Sequence, residues 1–81
     1  MSYFVYILKC SDDTLYTGIA TDVQRRVKEH NSSEKGAKYT SARRPVELKY
    51  FEESTDRSSA SKREREIKKL TRKKKLELIN A

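Results

Sequence analysis

The alternation of apolar side chains predicts three β-strands in this chain. From Tyr3 to Cys10 nearly every residue is apolar or aromatic on both alternating faces, which is typical of a central strand covered on both sides. A polar turn separates this strand from a second one, Leu15 to Ala20, and the two are predicted to form a hairpin. Val46 to Glu52 alternates and predicts a third strand, at a sheet edge, with Leu48 and Tyr50 on one face.

The other segments predict helices. Asp22 to about Asn31 is expected to form the first helix, and the polar segment Ser32 to Gly36 a loop. Ala37 to Ala42 is ambiguous and fits one helical turn. A longer helix is expected after Asp56, and a short closing helix from Arg72 to Ile79. The resulting order, β-β-α-β-α-α, predicts a small α/β fold of the α+β type.

Capping residues support these helix boundaries. Thr21 is a candidate N-cap, and Gln24 three residues later completes a capping-box pattern. Thr71 is expected to cap the closing helix, in which Leu76 and Ile79 are expected to pack against the rest of the molecule. The second strand contains Gly18, and a glycine inside a strand often marks a bulge or a close approach by another group.

Three polar side chains are predicted on the packing faces of helices. At about 100° per residue, Arg26 and His30 fall at or near the stripe formed by the two valines of the first helix. In the later helix, Glu64 lies close to the stripe formed by the apolar residues. The residues expected to face outward are Arg25, Lys28, Glu29 and Glu66.

Length and composition restrict the kind of protein. Eighty-one residues predict a single domain, 1–81, with a thin core because only 35% of the residues are hydrophobic. The formal charge of +7 favours a polyanionic partner, either nucleic acid or an acidic surface. A single cysteine, Cys10, excludes an internal disulfide. Because neither a signal peptide nor a membrane-spanning segment is evident, we expect a cytoplasmic protein.

The inward-facing polar groups admit a structural and a catalytic interpretation. They could form a buried Arg26–Glu64 ion pair with a hydrogen-bonded His30 and two core tyrosines, Tyr6 and Tyr16. Such ion pairs are poor stabilisers, however, because removing charges from water costs several kcal/mol per ion. One carboxylate can anchor a Mg²⁺ ion that also binds a phosphate, and Arg26 suits a phosphoryl oxygen. This set favours phosphodiester hydrolysis over glycosidase chemistry, which needs two carboxylates.

The ordered motifs of the chain resemble those of the GIY-YIG nuclease superfamily. The likeness starts with Phe4-Val5-Tyr6 and Tyr16-Thr17-Gly18, continues through Arg26, His30 and Asn31, and ends at Glu64. It covers the chain from Tyr3 to about Leu70. It is greatest to the small single-domain bacterial and archaeal members and to the nuclease domain of structure-selective junction endonucleases. Phe4 and Thr17 depart from the motifs, but both lie beside the tyrosines and do not replace them.

This resemblance implies a fold and a chemistry. The fold would be a three-stranded antiparallel sheet flanked by helices, and Glu64 would bind one divalent ion, Mg²⁺ or Mn²⁺. Tyr6 would help to deprotonate the attacking water, and Tyr16 would position that water or the phosphate. Arg26 would neutralise charge on the phosphoryl group, and His30 would hydrogen-bond a tyrosine hydroxyl or the phosphate. The expected activity is endonucleolytic cleavage of DNA, selective for structure more than for sequence and used in DNA repair or recombination.

Basic residues outside this set are candidates for contacts with the nucleic-acid backbone, which would contribute affinity without sequence choice. They are Lys38, Arg43, Arg44, Lys68 and Arg72. Two alternatives remain open from the sequence. One is a basic nucleic-acid-binding module with the same fold and little or no catalytic turnover. The other is a basic protein whose partner is RNA or another protein.

Overall fold

The three predicted strands form one antiparallel sheet. A computed structural model describes residues 2–32 and 36–81, and its strands are β1 (Tyr3–Lys9), β2 (Leu15–Ala20) and β3 (Glu47–Ser54). The strand order is β2-β1-β3, with β1 antiparallel to both neighbours. The predictions that the first strand is central and the third lies at an edge are confirmed. The third strand begins one residue later and ends two residues later than predicted.

Among the described residues, four helices complete the fold: α1 (Val23–Ser32), α2 (Lys38–Ser41), α3 (Arg57–Lys68) and α4 (Arg72–Ile79). The predicted order β-β-α-β-α-α is therefore confirmed, with α2 as the single turn that the sequence left ambiguous. Most of the loop predicted over residues 32–36 lies outside the described residues. Within the described ranges, no helix is long and apolar enough to cross a membrane.

Each face of β1 belongs to a separate small core. On one face Tyr6 and Leu8 pack with Val23 of α1, and on the other Val5 and Ile7 pack with α3. The α3 residues in that second core are Ala60 and Ile67, both fully buried. A central strand that is apolar on both faces thus allows a chain with few hydrophobic residues to support two layers of helices.

A β-bulge in β3 corrects the predicted facing of its side chains. Ile7 pairs with Tyr50 and Leu8 pairs with Leu48, so Lys49 is the extra residue between the two pairs. Leu48 packs against the Tyr6 core and Tyr50 against the Val5 core. The prediction that Leu48 and Tyr50 share a face was wrong, because one inserted residue shifts the alternation by one position.

Helix capping follows the predictions only in part. Asp22, and not Thr21 with Gln24, caps α1, because its carboxylate accepts a hydrogen bond from the Arg25 N–H at 3.1 Å. The first helix therefore starts at Val23 instead of Asp22. Thr71 caps α4 as predicted, accepting from the Lys74 N–H at 3.2 Å.

The packing face of α4 also differs from the predicted one. Leu76 is exposed, whereas Leu78 packs with Ile79 against the core that contains Val5 and Ile7. The prediction that Leu76 packs against the rest of the molecule was therefore wrong, and the one for Ile79 is confirmed.

Two buried threonines offer a matched test of polar burial. The Thr17 hydroxyl has no hydrogen-bond partner among the described residues, whereas the Thr40 hydroxyl contacts both the His30 ring and the Ala37 carbonyl. Since an unsatisfied buried polar group costs about 1–3 kcal/mol, Thr17→Val is expected to raise the free energy of unfolding by about 1 kcal/mol. Thr40→Val is expected to lower it by about 1–3 kcal/mol. Urea denaturation measures both, and equal effects of the two substitutions would contradict this assignment.

Candidate active site

Tyr6 lies at the centre of the site because the neighbouring strand has no side chain at Gly18. Tyr6 of β1 pairs directly with Gly18 of β2, and residues paired in this way share a face of the sheet. A β-carbon at position 18 would lie 2.5 Å from the Tyr6 Oη and 2.7 Å from its Cζ. Glycine is therefore required here for the close approach of the tyrosine ring. The sequence-based expectation that Gly18 marks a close approach by another group is therefore confirmed.

His30 connects this tyrosine to the helices. It lies in the last turn of α1 with 0% of its surface exposed. Its Nε2 is 2.9 Å from the Tyr6 Oη, and its Nδ1 is 2.8 Å from the Thr40 Oγ1. Burial, reinforced by the positive charge of Arg26, lowers the pKa of His30 to about 4. The imidazole is therefore neutral at pH 7.

Two groups lie within hydrogen-bond distance of Nδ1 on the neutral His30 ring. The backbone N–H of Ala37 donates to Nδ1 at 3.3 Å, and the direction of this N–H is fixed by the main chain. The Thr40 Oγ1, which donates to the Ala37 carbonyl at 2.9 Å, lies closer to Nδ1, at 2.8 Å, so the hydrogen bond that Nδ1 makes decides which ring nitrogen carries the hydrogen. In either tautomer, one hydrogen bond joins Nε2 to the Tyr6 Oη and fixes the position of that oxygen.

Opposing effects act on the acidity of Tyr6. Burial raises the pKa of this phenol to about 12, while a hydrogen bond from Arg26 and the charge of Arg26 act in the opposite direction. The negative charge of Glu64 adds to the increase in pKa, which shows that this carboxylate lies within electrostatic range of the hydroxyl. Burial has the larger effect, so the side chain, of which only 1% is exposed, is a neutral phenol at pH 7.

Arg26 reaches from the edge of the α1 stripe toward Tyr6, as predicted. Its side chain is 28% exposed, and its Nη1 is 3.0 Å from the Oε1 of Glu29. The prediction that Glu29 faces outward was wrong, because this carboxylate is also half-buried and bridges Arg26 and Arg25. A cleft of about 260 Å³ opens at this point. It is lined by Ile19, Ala20, Thr21, Asp22, Arg25, Arg26 and Glu29.

The two acidic residues of α3 are separated as their helical positions predict. The Glu64 side chain is 21% exposed and pairs with Lys68 at 3.5 Å, whereas the Glu66 side chain is 55% exposed. No group of three or more His, Cys, Asp or Glu side chains that could hold a metal ion occurs in the described part of the chain. A fully protein-coordinated metal centre therefore does not fit these residues. A Mg²⁺ ion held by one carboxylate, water and phosphate does fit them.

Tyr16 links the buried cluster to the surface through its ring. The ring centroid of Tyr16 is 6.5 Å from that of Tyr6, 5.2 Å from that of His30 and 5.8 Å from that of Tyr39. The structure thus brings Tyr6, Tyr16 and His30 into one aromatic group. This group is continuous with an exposed tyrosine, Tyr39, which the sequence analysis did not select.

The five basic candidates fall into two groups. Arg44 donates to the His30 carbonyl at 2.6 Å, Arg43 pairs with Asp12 at 3.0 Å, and Lys68 pairs with Glu64. These three side chains therefore help to hold the fold together, whatever they contact in addition. The side chains of the remaining two, Lys38 and Arg72, are exposed.

Sequence reasoning missed several residues of this site. Thr40 and Ala37 contact His30 from α2 and the residue before it, and no periodicity marks them. Glu29 looked solvent-facing because it lies outside the apolar stripe of α1. Tyr39 did carry a signal, since it is an aromatic residue within a basic segment, which is common in nucleic-acid-binding proteins.

Comparison with known proteins identifies the relatives of this chain. The family described as "GIY-YIG catalytic domain" matches residues 2–77. A UPF0213 protein of Desulfotalea psychrophila is 58% identical over 80 residues, which are 99% of this chain and 73% of that protein. A UPF0213 protein of Staphylococcus aureus is 60% identical over 78 residues, which are 96% of this chain and 94% of that protein.

A solved structure also matches this fold. The solution NMR structure of a UPF0213 protein from Bacillus halodurans superposes with a TM-score of 0.62 at 45% sequence identity. The match covers 99% of this chain and 84% of the other. The predicted resemblance is therefore confirmed at the level of family and fold.

The protonation of His30 can be measured directly, because it is the only histidine in the chain. In protein without a histidine tag, the imidazole proton resonances are expected to titrate with a midpoint near pH 4. In concentrated urea the midpoint should return to about 6.5. The native state should therefore lose stability as the pH falls from about 6.5 toward 4, because the unfolded chain then binds the additional proton. A native midpoint near 6.5 would contradict the buried, neutral assignment.

Proposed function

The chain belongs to the GIY-YIG family of endonuclease-type hydrolases, and we propose that it cleaves phosphodiester bonds in DNA with a divalent metal ion. One observation carries this proposal. The Tyr6 hydroxyl is held between His30 and Arg26, within electrostatic range of Glu64. Three ionisable groups gathered around one buried hydroxyl stabilise a fold poorly, because each must be desolvated. They do suit a reaction that moves a proton beside a phosphate.

Arg26 is the proposed phosphate ligand. Its guanidinium already binds a carboxylate, Glu29, and the two non-bridging oxygens of a phosphodiester offer a similar pair of acceptors with the same single negative charge. Substrate binding would therefore exchange Glu29 for phosphate at the cleft beside α1. The charge of Arg26 then opposes the negative charge that accumulates on the phosphoryl group as water attacks.

Tyr6 is proposed first to release its phenolic proton to bulk water and then, as the tyrosinate, to take up the proton of the attacking water at its Oη. The hydrogen bond to His30 Nε2 positions this oxygen, and the hydrogen bond and charge of Arg26 favour its deprotonated form. Burial opposes that form. Glu64 fits as the one protein ligand of a Mg²⁺ or Mn²⁺ ion, which when bound would supply positive charge to the phosphate and to nearby hydroxyls. Tyr16, whose ring contacts those of Tyr6 and His30, would orient the water or the phosphate.

The substrate is proposed to be DNA recognised by its structure. The net charge of +7 provides sequence-independent attraction to phosphates. A domain of residues 1–81 has little surface for reading bases, so branched, flapped or single-stranded DNA is the expected target. A role in repair or recombination, in the cytoplasm, would follow from such selectivity.

One observation favours a second candidate, a basic DNA-binding module with weak turnover. The phenol of Tyr6 is buried, and its pKa is raised to about 12, which makes it a poor base on its own. A binding module would retain the basic surface without needing Glu64. The two candidates therefore differ in what they require of this carboxylate.

Glu64→Gln tests the proposed catalytic function, with Glu66→Gln as a matched control on the exposed side of the same helix. With labelled branched DNA and Mg²⁺, Glu64→Gln is expected to reduce the cleavage rate ~100-fold or more, since it removes the proposed metal ligand. Glu66→Gln should cleave like the parent protein. DNA binding without metal-dependent cleavage by the parent would support the binding module. Equal cleavage by all three proteins would mean that the activity does not come from this site.

Arg26→Ala tests the proposed phosphate contact, with Arg25→Ala as its neighbour control. The Arg25 side chain is 71% exposed, and it pairs with the same Glu29. Loss of Arg26 is expected to lower the single-turnover cleavage rate by about 100-fold or more, because charge on the phosphoryl group is no longer opposed. Arg25→Ala is expected to change the rate less than about threefold, as for a surface charge. Equal losses in the two variants would assign the effect to general charge.

A further inference from the structure

Tyr39 is an exposed aromatic residue beside the candidate active site. It lies in α2 with 39% of its surface exposed, and its ring is stacked on that of Tyr16 with 5.8 Å between centroids and 26° between planes. Tyr16 in turn contacts Tyr6 and His30. An exposed tyrosine is therefore joined to the proposed catalytic group by a single intervening ring.

Arg43 provides a second planar group at the same place. Its Cζ lies 4.0 Å from the centroid of the Tyr39 ring, which is within the range of a cation–π contact. The guanidinium is held in position by two further hydrogen bonds, from Nη1 to the Tyr39 carbonyl at 2.8 Å and from Nε to Asp12 at 3.0 Å. About a third of the Arg43 side chain remains exposed. The pair is thus ordered before any ligand arrives.

We propose that the exposed side of the Arg43 guanidinium, backed by the Tyr39 ring, forms a stacking subsite for one unpaired nucleobase beside the aromatic group of Tyr6, Tyr16 and His30. The proposal rests on the nuclease function proposed above and adds the feature of the substrate that is recognised. Aromatic rings and guanidinium planes are the groups on which unstacked bases pack, and the contact does not depend on base identity. The pair lies two ring contacts from Tyr6, a span that neighbouring nucleotides of one strand can bridge.

This subsite accounts for structure selectivity in physical terms. In a duplex, the faces of each base are covered by the bases above and below, so none is available to the Arg43 guanidinium. At a flap, a gap or a single-stranded end, a base face is free. The stacking energy of about 1–3 kcal/mol per base is then gained only with unpaired DNA. Selectivity would thus arise without any base-reading helix.

The orientation of Arg43 favours stacking over the backbone contact predicted from sequence. Two of the Arg43 nitrogens that could bind a phosphate already donate to a carbonyl and a carboxylate, whereas its plane lies over an aromatic ring. Asp12 also offsets part of its charge. If Arg43 bound a phosphate, a substitution that removes its charge would weaken binding. If Arg43 stacks on a base, a substitution that removes the guanidinium plane and keeps the charge would weaken binding.

The test compares binding of two strands to the full chain in EDTA, so that cleavage plays no part. One is a labelled thymidine oligonucleotide, and the other is an abasic strand of equal length and charge. Fluorescence anisotropy is expected to give a dissociation constant about tenfold lower for the intact strand. Tyr39→Leu should abolish this preference and leave abasic binding unchanged, while Tyr39→Phe should retain it. Arg43→Lys keeps the charge but loses the plane, and should reduce the preference several-fold.

Phe51→Leu is the matched control. Phe51 is a more exposed aromatic residue, on the outer strand β3, and its loss should leave the preference for the intact strand unchanged. Circular dichroism melting verifies that each variant is folded. The ratio of the dissociation constants for the intact and abasic strands can also be measured with the parent protein alone, so this part of the test does not depend on any variant folding.

Several results would overturn the subsite. Equal binding of intact and abasic strands by the parent, or equal loss on both strands in Tyr39→Leu, would do so. If the parent nevertheless cleaves DNA with a dependence on Glu64, the proposed function stands and the subsite alone fails. If the parent binds neither strand at low salt, the subsite and the proposed function fail together.

Discussion

The buried hydrogen bond between the Tyr6 hydroxyl and the His30 ring is the interaction on which the rest of the structure depends. At 2.9 Å it joins the central strand to the last turn of α1. It needs glycine opposite Tyr6 to make room for the ring, and it needs a neutral His30. The second nitrogen of His30 then holds the start of α2 through the backbone N–H of Ala37. Sheet, α1 and α2 therefore meet at one oxygen and one imidazole.

The burial of Tyr6 fixes the position of its hydroxyl but makes that hydroxyl a weaker acid. Removing Tyr6 from water fixes its position, but it also raises the pKa of the phenol to about 12. Arg26 compensates only in part, and its own partner Glu29 reduces the positive charge nearby. The molecule alone therefore holds its proposed base in the neutral form. Catalysis would therefore require the charges that the bound substrate and metal ion add to the site. The basic surface would attract the substrate.

The sequence predicted the elements more fully than it predicted the interactions between them. Apolar residues on both faces of β1 marked it as central, and helical phase separated Glu64 from Glu66 because each signal is local. The bulge at Lys49 escaped prediction, since strict alternation does not reveal one inserted residue. The inward position of Glu29 depends on Arg26 and Arg25, and the contacts of His30 come from residues beyond the helix. Such groups become neighbours only after the chain has folded.

The space above Gly18 also has an evolutionary consequence. A descendant of this chain that lost the ring at position 6 would no longer be constrained to glycine at position 18, because the atoms that exclude a β-carbon would be gone. The reverse change is blocked for as long as the ring remains. A glycine in the second strand thus serves as a record of a functioning tyrosine in the first. Among related chains, loss of this glycine should therefore follow, and not precede, loss of the tyrosine.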